Sequence, residues 1–151
     1  MDNILLKERL EGLSVDALFP PNPQYPEIIV PVEKYHEFCS LLKTSGDLLF
    51  DYLISLTAVD WKDHYIVVCH ITSTSYRHLV VVKTRLDNHE DPVVDTISDI
   101  WRTAEFHERE VFDLFGIRFR NHPDLRRLFL EDGYGFPLRK DFTDDSRMIV
   151  R

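Results

Sequence analysis

Cysteine, glycine and long hydrophobic runs are scarce in this 151-residue chain, and each shortage excludes something. Its two cysteines, Cys39 and Cys69, stand thirty positions apart with no Cys-x-x-Cys. They are too few for a disulfide scaffold or for the thiolate set of an iron–sulfur cluster; they fit a reducing compartment and core packing. The five glycines form no phosphate-binding loop, no Gly-x-Gly-x-x-Gly dinucleotide turn and no Gly-x-Ser-x-Gly nucleophile elbow. Gly133-Tyr134-Gly135 reads as a turn. Apolar runs reach only about seven residues, as in Tyr65 to Ile71, against the roughly 20 needed to cross a bilayer. Met1-Asp2-Asn3-Ile4-Leu5-Leu6-Lys7-Glu8-Arg9 has acid first and charge directly after three apolar residues, unlike a leader peptide, so the sequence reads as cytosolic. Basic charge is short as well. With 18 Lys and Arg against 26 Asp and Glu the formal charge is −8, the wrong sign for a dedicated nucleic-acid or anionic-membrane binder.

What is present is enough for one core. The chain is 44% hydrophobic and 12% aromatic, and a domain of this length buries roughly 68–70% of its unfolded surface. Leu6, Leu10 and Leu13, with Asp2 as a possible N-cap, predict a short helix ending near Gly12. Pro20-Pro21-Asn22-Pro23-Gln24-Tyr25-Pro26 must be extended, because each ring fixes φ and restricts the residue before it. Ile28-Ile29-Val30 predicts a strand, and Tyr35, Phe38, Cys39 and Leu42 lay one stripe along a helix of residues 33 to 43. Phe50 to Val59, Tyr65 to Thr72 and Leu79 to Thr84 read as three strands of an antiparallel meander, joined by polar turns, with the second apolar on both faces and central. Val94, Ile97, Ile100, Trp101, Ala104, Val111, Phe112 and Phe115 keep helical spacing up to Gly116, which suits the left-handed position past a helix end. The expected class is α+β: a mostly antiparallel sheet with packed helices over residues 1–116, then an irregular segment over 117–151 with no period and several turn formers. There is no internal repeat.

Candidate chemistry concentrates after residue 100. His107-Glu108-Arg109-Glu110-Val111 lacks the second histidine of a zinc-protease helix, and His64, His70 and His78 have no ligand-like spacing, so the histidines read as satisfied surface or core residues. Glu108 falls within the stripe of Ala104, Val111, Phe112 and Phe115. A carboxylate there must be paired, hydrogen-bonded or protonated. It is expected to meet an arginine, Arg126, Arg127 or Arg139; an interface anchor and a general acid are the other two roles open to it. Glu105, Arg109 and Asp113 follow at i, i+4 on the expected polar side, worth about 0.2–0.5 kcal/mol per pair. Six of the 18 basic residues (Arg118, Arg120, Arg126, Arg127, Arg139, Lys140) lie within 23 positions, interleaved with Phe119, Leu125, Leu128, Phe129, Leu130 and Phe136. That pattern reads as a docking surface, as internal pairing to Glu108, Glu110 and Asp113, or as both, since the planar guanidinium suits either. A free-standing acid–base enzyme would need Glu108, Glu110 and Asp113 to converge, whereas their helical angles diverge.

Three blocks carry a resemblance: Ala104-Glu105-Phe106-His107-Glu108-Arg109-Glu110-Val111-Phe112-Asp113-Leu114-Phe115-Gly116-Ile117, then His122-Pro123-Asp124-Leu125-Arg126-Arg127, then Pro137-Leu138-Arg139-Lys140-Asp141-Phe142. In order and spacing they resemble the signature of the 30-kDa, or C, subunit of respiratory complex I, the proton-translocating NADH:quinone oxidoreductase. Weaker similarity extends over residues 50 to 142. Phe106-His107 departs from the aromatic pair usual there. The resemblance implies a cofactor-free subunit of the peripheral arm, with flavin, iron–sulfur clusters and quinone on partner subunits. The implied partners are the quinone-site subunit, similar to a hydrogenase large subunit, and neighbouring iron–sulfur subunits. It implies a peripheral place on the cytoplasmic face of the inner or plasma membrane, reached only through the complex, and no nucleic acid. Its signature and interface residues would be Glu108, Arg109, Glu110, Asp113, Gly116, His122, Pro123, Asp124, Arg126, Arg127, Pro137, Arg139, Lys140 and Asp141. Relatives in membrane-bound hydrogenases, formate hydrogenlyases and F420-linked dehydrogenases leave the type of complex open.

Overall fold

Alternation along Tyr65 to Ile71 organises the fold, because every second side chain must leave water on the same side. The computed structural model describes residues 3–13, 16–21, 24–131 and 133–142. Its elements run α1 (Asn3–Glu11), β1 (Glu27–Ile29), a 3-10 turn (Val32–Lys34), α2 (Tyr35–Thr44), β2 (Tyr52–Asp60), β3 (Tyr65–Thr72), β4 (Leu79–Leu86), β5 (Val93–Asp95), α3 (Ala104–Phe115) and β6 (Arg118–Arg120). The main sheet has the order β1-β4-β3-β2. β2, β3 and β4 form the expected antiparallel meander with β3 inside it, and β1 joins parallel to β4. The class is α+β with a mostly antiparallel sheet.

One face of the sheet is closed and the other half open. Tyr65, Val67, Cys69 and Ile71 are fully buried with Val80 and Val82 of β4, whereas Ile66, Val68 and His70, which alternate with them, keep partial exposure. β3 is therefore central but apolar-buried on one face only, a correction to its two-faced reading: residue type alone does not say which face a helix covers. In β2 the register slips between Leu53 and Ser55. This bulge absorbs Ile54 and keeps both Leu53 and Leu56 on the closed face, three positions apart. α2 buries its expected stripe, Tyr35, Phe38, Cys39 and Leu42. The Tyr35 hydroxyl sits 3.1 Å from Cys69 Sγ. Both cysteines are free and buried; burial pushes both thiols up, Cys69 to about 12, which leaves them inert packing groups. α1 buries Leu6 and Leu10; its proposed cap, Asp2, lies outside the described residues.

Two expectations fail after residue 92. The helix covers Ala104–Phe115 alone. Val94 belongs to β5, and Ile97 to Trp101 form turns whose apolar side chains fall into the core. Their helical spacing arises from a bent path over the core, with the Trp101 indole N–H donating to the Phe50 carbonyl at 2.8 Å. The segment after Gly116 begins as a strand: β6 pairs parallel to β5, and Ile117 and Phe119 are buried. A three-residue strand with one partner leaves no periodic trace for a sequence reading to find.

Candidate functional site

α3 is buried on two sides, and each side handles its carboxylate differently. Toward the sheet, Glu108 is fully buried. It accepts a very short hydrogen bond from the Thr96 hydroxyl and another from the Ile97 backbone N–H at 3.1 Å. Burial pushes its carboxyl up to about 8, against the pull of those two donors. No arginine reaches it among the described residues. The expected arginine pairing is thus corrected: turn 96–97, not the C-terminal segment, faces this side of the helix, and neutral donors suffice for a protonated acid.

The opposite side, expected to be polar and wet, lies under the C-terminal segment. Arg109 and Asp113 are both buried. Arg109 donates through Nη2 to the Arg127 carbonyl at 3.1 Å and through Nε, more weakly at 3.4 Å, to the Arg126 carbonyl. Asp113 accepts from the backbone N–H groups of Phe129 at 2.8 Å and Leu130 at 3.1 Å. Arg127 Nε lies 2.7 Å from Asp113 Oδ1, an ion pair whose angle falls outside that of a hydrogen bond. An irregular segment cannot satisfy its own amides, so buried side chains one turn apart on α3 satisfy them instead.

Gly116 makes this docking possible. Its φ of +78° closes α3 in the left-handed cap that its position predicts. A Cβ there would lie 2.6 Å from the Phe136 ring and 2.8 Å from an Arg139 guanidinium nitrogen. Phe136 meets two cations, with Arg127 and Arg139 at 5.0 and 4.9 Å from its centroid. Arg139 Nε also donates to the Phe115 carbonyl, and the Leu138 N–H to the Leu114 carbonyl at 2.9 Å. The last turn of α3 therefore gives its free carbonyls to residues 138 and 139.

The other expected residues separate into groups. His122 ties the chain to the first turn of α3, donating from Nε2 to the Glu105 carbonyl at 2.9 Å and accepting the Asp124 N–H on Nδ1 at 3.0 Å. Asp124 pairs with Arg126 at 3.0 Å on the surface, which holds its carboxyl below the ordinary range. Pro123 is exposed beside them and Pro137 half-buried in the turn over Gly116. Glu110 points to solvent, so Glu108, Glu110 and Asp113 do not converge. Lys140 and Asp141 are exposed, and the Lys140 N–H donates to Asp60 at 2.8 Å. Sequence reasoning misses Asp60 as a structural residue. It lies in phase with buried Leu56 and Ala58 on β2, the one signal that could have found it. It is buried and also accepts from the Lys62 N–H at 2.7 Å and from His89 Nε2 at 2.8 Å. Burial alone would push its carboxyl up, but these three donors outweigh it and leave it low.

The described residues contain no group of three His, Cys, Asp or Glu placed to hold a metal ion, and no helix long and apolar enough to cross a membrane. The carboxylates found buried bind this chain's own backbone and side chains. In this arrangement one α-helix is clamped between a sheet and a shaped C-terminal segment.

The chain belongs to the family of the 30 Kd subunit of the respiratory-chain NADH dehydrogenase, which it matches over residues 28–147. It is 49% identical over 119 residues to the C/D subunit of an NADH-quinone oxidoreductase from Phocaeicola vulgatus, covering 78% of this chain and 22% of that protein. With the C 2 subunit of the NADH-quinone oxidoreductase from Rhizobium meliloti it shares 44% identity over 117 residues, covering 75% of this chain and 63% of the other. The chain thus spans less than two thirds of these relatives. Among solved structures it is similar to a chain of the membrane-bound sulfane sulfur reductase, an archaeal respiratory membrane complex, with a TM-score of 0.81 and 25% identity; the overlap covers 95% of this chain and 86% of that one.

Proposed function

We propose that this chain is a structural subunit of the peripheral arm of an NADH:quinone oxidoreductase, supporting electron transfer to quinone coupled to proton translocation. It holds no cofactor of its own and docks its C-terminal segment against the quinone-site subunit, next to iron–sulfur subunits. The chain reaches the cytoplasmic face of the membrane only through those partners. One observation carries this reading: Phe129 is 75% exposed and Leu138 51% exposed, although the backbone beside each is fastened to α3. Apolar side chains on a fastened backbone lose little further entropy when covered, which is the property of an interface anchor. The anchors expected from sequence narrow accordingly, since Phe119 is 2% exposed and Leu125 and Phe136 are partly buried.

A second reading, the equivalent subunit of a related membrane-bound complex, is favoured by the likeness to the sulfane sulfur reductase chain. Affinity purification from the source membrane, with identification of the co-purifying subunits, separates the two. Phe129→Asp should leave the subunit folded and strip it from the complex. Normal recovery of the Phe129→Asp subunit in the complex would move docking to another face.

A further inference from the structure

Below the β2–β3 turn, where the C-terminal segment returns to the sheet, lies a cavity of about 270 Å³ lined by Lys62, His89, Lys140 and Asp141. Asp60 builds it. By accepting the N–H groups of both Lys62 and Lys140 and the His89 imidazole, one buried carboxylate fixes three separate stretches of chain around the opening. Tyr65 forms the layer behind His89, its ring parallel to the imidazole at 4.4 Å. The Tyr65 ring also lies under the Arg139 guanidinium, 5.8 Å from its centroid, so this layer is closed off from the opening.

Charge does not balance here. Asp60 and His89 are spent on each other and on the backbone. Neither the Lys62 nor the Lys140 ammonium has an ion pair among the described residues, in a chain with eight more acids than bases. Two ammonium groups are left with Asp141 as the one other acidic side chain at the rim. Both lysines are exposed, and two positive charges against one free carboxylate leave a local positive excess that suits an anion. The cavity also adjoins the proposed docking face, since Lys140 lies two positions past exposed Leu138.

We infer that this cleft receives the carboxylate of an Asp or Glu side chain from a partner subunit, held between Lys62 and Lys140. The inference rests on the docking reading above, and the test separates them. The intact complex, purified from the source membrane, is treated with a water-soluble carbodiimide, which joins lysine to carboxylate only where the two touch. Expected is an amide from Lys62 or Lys140 to an acidic residue of another subunit. Lys62→Arg with Lys140→Arg should keep the complex at normal yield and lose that product. Lys62→Glu with Lys140→Glu should lower recovery of the subunit in the complex about tenfold or more. A lowered thermal midpoint in the glutamate variant is resolved by the arginine variant, which keeps the charge. Crosslinks confined to Lys140 and Asp141 within the chain, or none at either lysine, overturn the inference. If the glutamate variant assembles normally while Phe129→Asp does not, the cleft proposal falls and the docking reading stands. If both assemble normally, both fall.

Discussion

The two sides of α3 are held by different physics. The sheet side rests on area: Ala104, Val111 and Phe115 join a continuous apolar core, and the one carboxyl among them, Glu108, is tolerated by keeping its proton. The outer side rests on valency. Arg109 and Asp113 are buried there because the segment over them brings carbonyls and N–H groups with no strand or helix partners, and these side chains supply them. Burial by area tolerates substitution in proportion to what is removed, while burial by valency fails at once when one member leaves a charge or amide orphaned. A helix clamped in both ways can carry a surface that would not fold alone.

The sharpest way to break this contrast is Asp113→Ala. It leaves the buried Arg127 guanidinium without its counter-charge and two amides without their acceptor, and should cost about 3–5 kcal/mol, read as a lower denaturation midpoint with new proteolytic cleavage near residues 121–135. Unchanged cleavage would mean that packing, not valency, holds the segment.

Next in size is the pH response of Glu108. Its folded-state pKa of about 8 lies above the ordinary carboxyl value, so the native protein keeps a proton that the unfolded chain has released. The stability this gives is full below the ordinary carboxyl range and is lost as pH rises toward about 8. Glu108→Gln can accept the Ile97 N–H on its oxygen and donate from its NH2 to the Thr96 hydroxyl oxygen, and should flatten that fall, a difference on the order of a few kcal/mol at high pH. Parallel slopes for the two proteins would show that Glu108 is ionised in the fold.

Gly116→Ala should cost about 1–3 kcal/mol through its left-handed φ. It should also displace the Phe136 ring, visible as loosening of residues 136–142 in solution while the sheet stays intact. Smallest is Asp91→Ala. Asp91 accepts three hydrogen bonds from Arg118, as many contacts as the two hydrogen bonds and one ion pair of Asp113. Both side chains of that pair are more than half exposed, so the loss should stay within about 1 kcal/mol. Equal effects at Asp91 and Asp113 would erase the distinction between wet and buried valency.

Legibility in the sequence follows the same division. The α2 stripe, the β3 alternation and the Gly116 cap are readable because area and local conformation are written in residue type and spacing. Glu108 is readable as buried, since its phase along α3 is shared with Val111 and Phe115. Its partners are not, because turn 96–97 carries no mark of facing the helix. Arg109 and Asp113 look like a solvated i, i+4 row. Their burial depends on a segment that approaches from more than fifteen positions later; of it, the run of basic residues foretells only the internal pairing that Arg127 makes with Asp113. β5 and β6 escape for the same reason, as three-residue strands that exist only through each other.

Hydrogen exchange at the Phe129 and Leu130 amides tests the clamp on the outer face of α3 most directly. These amides should be protected in the native protein and exchange at least about tenfold faster in Asp113→Ala, which removes the single oxygen that accepts both, with the Val67 and Cys69 amides of β3 unchanged. Rapid exchange of both amides in the unaltered protein, or equal protection in the variant, would contradict the account.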